Sequence, residues 1–176
     1  MKPKQRREVR LALERLKKRP EHRSLSDFVQ LCQDKDVKEA MEFYTLRGQA
    51  GTLLDAREDN ITTSHFNVFE TISLMQLQDR TKLPVLLYMF RRFERSLNGV
   101  DPSILLLDEA WVPLGNEYWR SKLREWLKLL RSKNCAVVMA TQSLSDASRS
   151  GILDILVESC PTKIYLPNEE ALKTGT

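Results

Sequence analysis

Apolar positions along the chain recur with two different periods. In "EYWRSKLREWLKLLRSKN", Trp119, Leu123, Trp126, Leu127 and Leu130 fall at helical spacing, with basic residues opposite them. This predicts an amphipathic helix that Asn134 closes. The flanking stretches "SILLL" (103–107) and "CAVVMAT" (135–141) are short and wholly apolar apart from their ends. They read as strands, the second of the kind buried on both faces. Beyond them come a polar turn, "SLSDASRSG", a helix around "ILDILVES" and a last strand, "KIYLPN". From Ser103 to Asn168 the expected order is strand, helix, strand, helix, strand, which argues for a parallel α/β sheet with right-handed crossovers.

The first hundred residues are mostly helical in pattern. Val9, Leu13 and Leu16 give a narrow apolar stripe on a charged helix. After Pro20, "SLSDFVQLCQDKDVKEAMEFYTLRG" reads as one helical stretch, capped by Ser24 to Asp27 and stopped at Gly48. The pieces "TLL" and "FNVF" within residues 51–70 favour β structure and predict two short strands joined by a polar loop. "LPVLLYMFRRFERSLNG" predicts a helix with Leu86, Met89, Phe90, Phe93 and Leu97 on one face, ended by Asn98-Gly99.

Composition narrows the class. With 176 residues and 41% hydrophobic content, the chain can bury a real core. No apolar run approaches the roughly 18 residues that cross a bilayer, and the basic start lacks a signal core. Three dispersed cysteines and two histidines make a disulfide framework or zinc site improbable and suit a reducing cytosol. Net charge is +4, but residues 1–23 hold ten Lys or Arg against three Glu, a net +7, so the rest of the chain sums to −3. A solvated helix docked by its stripe accounts for that basic end; contact with nucleic acid or an anionic membrane is the alternative, although no aromatic residue offers base stacking.

The chemistry concentrates where the two central strands end. Parallel strands share a carboxyl edge, so Asp108, Glu109, Thr141 and Gln142 should approach one crevice, where open α/β sheets bind ligands. "LLLDE" fits the Walker B element of nucleoside triphosphatases. Its first carboxylate, Asp108, would hold Mg²⁺ through a water, and Glu109 would act as general base. Gln142 could donate to a terminal phosphate or position water; as a bland alternative it caps a turn. Arg131, Lys133 and Arg149 are candidate cations for phosphoryl transfer, or simply parts of a solvated face. A phosphate loop of the form GxxxxGK[ST] is missing: none of the six glycines begins one.

"LLLDEAW", "LREWLKLLRSKNCAVVMATQSLSDASRSGI" and "VESCPTKIYLPNEEAL" resemble, in order, the carboxy-terminal ATPase domain of the TrbE/CagE family of conjugation and type IV secretion machines. Upstream, "GQAGTLLDAREDN", "FNVFETISLM" and "LPVLLYMFRRFE" extend the similarity over roughly residues 45 to 171, with 1–44 matching more weakly. The resemblance implies a partial RecA-like P-loop NTPase core, a parallel sheet flanked by helices. It divides the chain into a basic helical segment, 1–44, and a Walker B-containing part, 45–176. It further implies Mg²⁺ and ATP in a complete domain, hexamers or related oligomers, and other secretion subunits as partners. The expected location is cytoplasmic, at the bacterial inner membrane, where hydrolysis drives pilus assembly and transfer of DNA or protein. By the same resemblance Asp108 and Glu109 take the Walker B role, Gln142 the sensing role and Arg131 a role on a neighbour's nucleotide, while Asn168 has none that can be derived. The chain would begin after the family's phosphate loop. Neither ATP nor Mg²⁺ is then expected to bind tightly to it alone, and turnover should be negligible. Two other readings stay open: a non-catalytic module binding a partner or DNA through the basic helix, and a helicase of related core.

Overall fold

The computed structural model describes residues 1–61, 64–108, 117–141, 148, 151 and 153–167, and these divide into two compact units, Met1–Met89 and Phe90–Thr176. The observed class is α/β, with a small parallel sheet of two strands among helices.

In the first unit, α1 (Pro3–Lys17) starts where Pro3 presets the helical φ and the Lys2 amide donates to Gln5 Oε1. Its buried positions are Ala12 and Leu16; Leu13 of the expected stripe stays 48% exposed. The stretch expected as one helix is two, α2 (Leu25–Leu31) and α3 (Lys35–Glu42). Ser24 caps α2 by accepting from the Asp27 amide, and the Asp27 carboxylate accepts from Ser24 in return. The break follows from Asp34. Its carboxylate accepts from the Val37 amide, so the chain turns extended at Cys32 and restarts as a separately capped helix. Ala12, Leu16, Phe28, Cys32 and Val37 form the core these three helices share.

The two strands expected between residues 51 and 70 are not formed. Gly51–Leu54 winds into a single turn, α4, which begins where a side chain on Gly51 would collide with the Thr45 carbonyl. "FNVF" has no regular structure. Asn67 instead folds back on Ser64, donating from Nδ2 to its carbonyl at 2.7 Å, and Phe66 and Val68 lie exposed. A β-favouring tetrapeptide needs a partner strand, and among the described residues none pairs with it.

A short α5 (Ile72–Met75) leads into α6 (Asp79–Ser96), longer than its pattern suggested because it runs through Pro84. Proline lacks the N–H that would bond the carbonyl four residues back, that of Arg80. Tyr44 fills the vacancy: its hydroxyl donates to the Arg80 carbonyl at 3.0 Å. The Arg80 guanidinium also lies 4.0 Å from the centre of the Phe43 ring.

In the second unit, β1 (Ser103–Asp108) and β2 (Cys135–Ala140) pair in parallel, joined through α7 (Glu117–Ser132) and followed by α8 (Leu153–Ser159). The face expected on α7 is buried: Trp119, Leu123, Trp126, Leu127 and Leu130. Phe90 stacks on Trp126 at 4.6 Å with rings 4° from parallel, and Trp119 meets both edge-on. Two expectations fail here. β2 is not buried on both faces, because α7 packs against it while Ala136, Val138 and Ala140 stay exposed. "KIYLPN" is not a strand through Pro167: among the described residues no strand pairs with it, and Ile164, Tyr165 and Leu166 are exposed. Asn168 lies outside the described residues.

Asp55 ties the first unit together over long sequence distances. Its buried carboxylate accepts from the Ser26 amide at 3.1 Å, from the Ser26 hydroxyl, and from the Leu46 amide at 2.9 Å. Burial pushes its pKa up, but these donors outweigh burial and hold it below the ordinary carboxylate value. Asp27 is also held low, chiefly by the Ser24 hydroxyl. A depressed folded-state pKa contributes stability above the unfolded value of about 4 and loses it as pH falls through the folded one. Urea titrations should therefore show stability falling below about pH 4. Asp55→Asn should flatten that fall without abolishing it, Asp27 remaining; an identical slope in both proteins contradicts the assignment. Tyr44→Phe, which strands the Arg80 carbonyl, should lower stability by about 1 kcal/mol in the same assay, and no change would mean water serves equally well.

Candidate functional site

The strand pair is set from its amino end. Pro102 ends a turn in which Asn98 Oδ1 accepts from the amides of Val100 and Asp101, with Gly99 at a left-handed φ of 78°. After α7 the chain reverses at Asn134, whose φ of 56° is the only positive value outside glycine among the described residues. Asparagine tolerates that region better than most side chains. The Asn134 carbonyl accepts from the Ser103 amide, and its Nδ2 donates to the Val100 carbonyl, each at 3.0 Å. Next to it, Lys133 Nζ donates to the Glu94 carbonyl at 2.9 Å.

From that anchor the register runs Ser103 opposite Cys135 to Asp108 opposite Ala140. Asp108 thus ends β1 beside the end of β2, with Thr141 the next residue along. Asp108 is exposed and Thr141 half-buried. The pair offers a carboxylate and a hydroxyl at one strand edge. That donor set suits a hard, hydrated cation such as Mg²⁺, which takes one or two carboxylates and completes its shell with water and phosphate oxygens. It is no self-sufficient metal cage: among the described residues no three His, Cys, Asp or Glu side chains cluster to hold an ion.

The remaining expected site residues do not join this pair within the described structure. Glu109, Gln142 and Arg149 lie outside the described residues. Arg131 is exposed in the last turn of α7, beside the amino end of β2 and so at the opposite end of the sheet from Asp108. Five strand steps, roughly 16 Å, separate the two ends. Lys133 is engaged by the Glu94 carbonyl, as a fastener of α6. Sequence reading undervalued Asn134, which it took only as a helix stop. The signal was there: an asparagine between an amphipathic helix and an apolar strand marks a left-handed C′ position.

These features define a parallel α/β protein with an acidic strand end beside a polar neighbour. No family model matches the chain. It is 55% identical over 154 residues, 88% of its length, to the conjugal transfer protein TrbE of Rhizobium radiobacter, covering 19% of that protein. It is 26% identical over 172 residues, 95% of its length, to the type IV secretion system protein virB4 of Bartonella quintana, covering 22% of it. The type IV secretion system protein CagE of Helicobacter pylori is 39% identical over 82 residues, 47% of this chain and 8% of CagE. The chain belongs to the TrbE/CagE family and spans about a fifth of the length of the first two relatives. No helix among the described residues is long and apolar enough to cross a membrane.

Because Asn134 sets the strand ends, its replacement should be felt throughout the second unit. Asn134→Ala loses a hydrogen bond and places an ordinary side chain at positive φ, a cost of about 2–3 kcal/mol. Asn134→Gly keeps the backbone and loses only the side-chain bond, about 1 kcal/mol. Urea unfolding should rank alanine below glycine; the reverse order would show that the left-handed turn does not limit stability.

Proposed function

We propose that this chain carries the Walker B side of an ATP-hydrolysing, RecA-like core in a conjugation or type IV secretion motor. The observation that carries this reading is the in-register parallel pairing that sets Asp108 and Thr141 at one carboxyl edge. The relationship to proteins named for conjugal transfer and type IV secretion supports it.

Asp108 would orient a magnesium-bound water shell through its carboxylate. When bound, the cation neutralises charge on the phosphate oxygens. Glu109, the next residue, would accept the proton of the attacking water as general base. Gln142, after Thr141, would donate to the terminal phosphate and lose that partner once the phosphate leaves. Arg131, at the far end of its own sheet, would serve a nucleotide held by a neighbouring copy, where its cation offsets charge on the transferring phosphoryl group. That role implies a ring-like homo-oligomer, and the family relationship favours other secretion subunits as partners at the inner membrane. The 176 residues contain no GxxxxGK[ST], so phosphate-binding amides and lysine would have to come from outside these residues. By itself the chain should turn over ATP at background.

The test is a chimera. The segment of Rhizobium radiobacter TrbE that aligns with this chain is replaced by it, and magnesium-dependent ATPase activity and plasmid transfer are measured. The chimera should be active. Asp108→Ala, which removes the magnesium-shell carboxylate, or Glu109→Gln, which removes the general base, should each lower turnover about 100-fold or more. A folded but inactive chimera, or one indifferent to Asp108→Ala, would refute the assignment.

A further inference from the structure

The first unit holds an apolar groove that the proposed function leaves unused. It runs between α1, α2 and α3 and has a volume of about 600 Å³. Val9 and Leu13 form one wall, Leu25 and Phe28 the floor, and Val37 and Met41 the other wall. Volumes of roughly 300–1,000 Å³ are typical of sites that enclose a ligand. Leu13 is 48% exposed at its mouth, and Ala40 is exposed on the opposite side.

The groove's surroundings say what kind of partner fits. The Glu8 and Arg15 side of α1 is engaged by the end of α2: Glu8 accepts from the Gln33 amide, and Arg15 donates to the Leu31 carbonyl. The side that flanks Leu13 at three, four and seven residues' distance, Arg10, Lys17 and Arg6, is exposed, and Arg23 lines the groove. Arg10 pairs with Glu14, and Arg23 donates to the Lys17 carbonyl. The one acid lining the groove, Asp36, accepts from the Gln5 amide group at 3.3 Å. The rim along α1 is thus basic and the interior apolar.

We propose that this groove receives an amphipathic helix of a partner protein, apolar on the face that enters and acidic on its flanks. Helix-in-groove docking uses side chains at i, i+3, i+4 and i+7 as anchors, and a concave apolar trough open along α1 is the complementary shape. Duplex DNA would satisfy the arginines and lysines but leave exposed Leu13 and half-buried Val9, Leu25 and Met41 uncovered. A flat lipid surface would not enter the trough.

The probe is a fluorescein-labelled peptide with leucines at helical spacing and glutamates elsewhere. Since α1 has 15 residues and runs roughly 22 Å, a peptide of about that length suffices. Fluorescence anisotropy with the whole chain should show saturable binding that Leu13→Glu weakens at least tenfold. Ala40→Glu, on the opposite wall, should do the same, and circular dichroism would establish that both variants keep their helices. Reversing the rim with Arg6→Glu and Lys17→Glu should weaken the acidic peptide and improve a peptide with lysines in place of glutamates. The proposal fails if no saturable binding occurs, if both groove variants bind as the parent does, or if the lysine peptide binds the parent equally well. It also fails if duplex DNA or phosphatidylglycerol vesicles displace the peptide from the rim.

Discussion

A single left-handed residue governs the second unit. Asn134 ends α7, and its backbone and side chain together hold the turn before β1 through the Ser103 amide and the Val100 carbonyl. Lys133 adds the carbonyl of Glu94. Three chain segments, the end of α6, the entry to β1 and the exit of α7, therefore meet within two consecutive residues. In a parallel pair, fixing one end fixes the other. A slip of one residue would turn Asp108 to the other face and offset it from Ala140 and Thr141. The candidate chemistry at the carboxyl edge thus depends on hydrogen bonds made roughly 16 Å away.

The legible parts of the fold were those whose signal is local. The apolar face of α7 is wide enough to be read from spacing alone, and it is the face that buries. β1 and β2 were legible as short aliphatic runs bracketed by Pro102 and Asn134, both of which stop a chain for steric reasons. "TLL", "FNVF" and "KIYLPN" carried similar β-favouring composition, yet a strand exists only when another supplies its hydrogen bonds. The break between α2 and α3 was readable in principle, since Asp34 stands where a cap belongs. The Asp55 carboxylate was not, because its donors lie 29 and 9 residues away and no periodicity links them. At the candidate site, the parallel register sets Asp108 opposite Ala140, next to Thr141; Glu109 and Gln142, expected at the same edge, lie outside the described residues. Arg131 follows the same logic to a different end: the last turn of a helix entering a parallel strand lies at that strand's amino end.

The sheet itself is unevenly covered. α7 contributes five buried side chains, and the stacked Phe90 and Trp126 rings with Trp119 concentrate the unit's packing beside that helix. The other face of the pair presents Ile104 and Leu106 at 67% and 68% exposure, with Val138 opposite Leu106. Two strands alone are marginal, so stability must come from the α7 side rather than from the ladder. Loss of the aromatic stack would accordingly be felt at the strand ends as well.

The position of Arg131 separates two versions of the proposed motor. A cation acting within its own chain has to share the crevice with Asp108, and the register places it at the far end instead. Rotating a side chain cannot move it there, because α7 must finish before β2 can start. In the proposed motor, an arginine acting on the transferring phosphate from that end would do so across an interface, with the amino end of one sheet facing the carboxyl end of the next. That arrangement is head-to-tail rather than two-fold, and head-to-tail contacts close into rings when the rotation permits. The chain order helix, Asn134, strand thus bears directly on assembly: in the proposed motor, Arg131 would serve a neighbour.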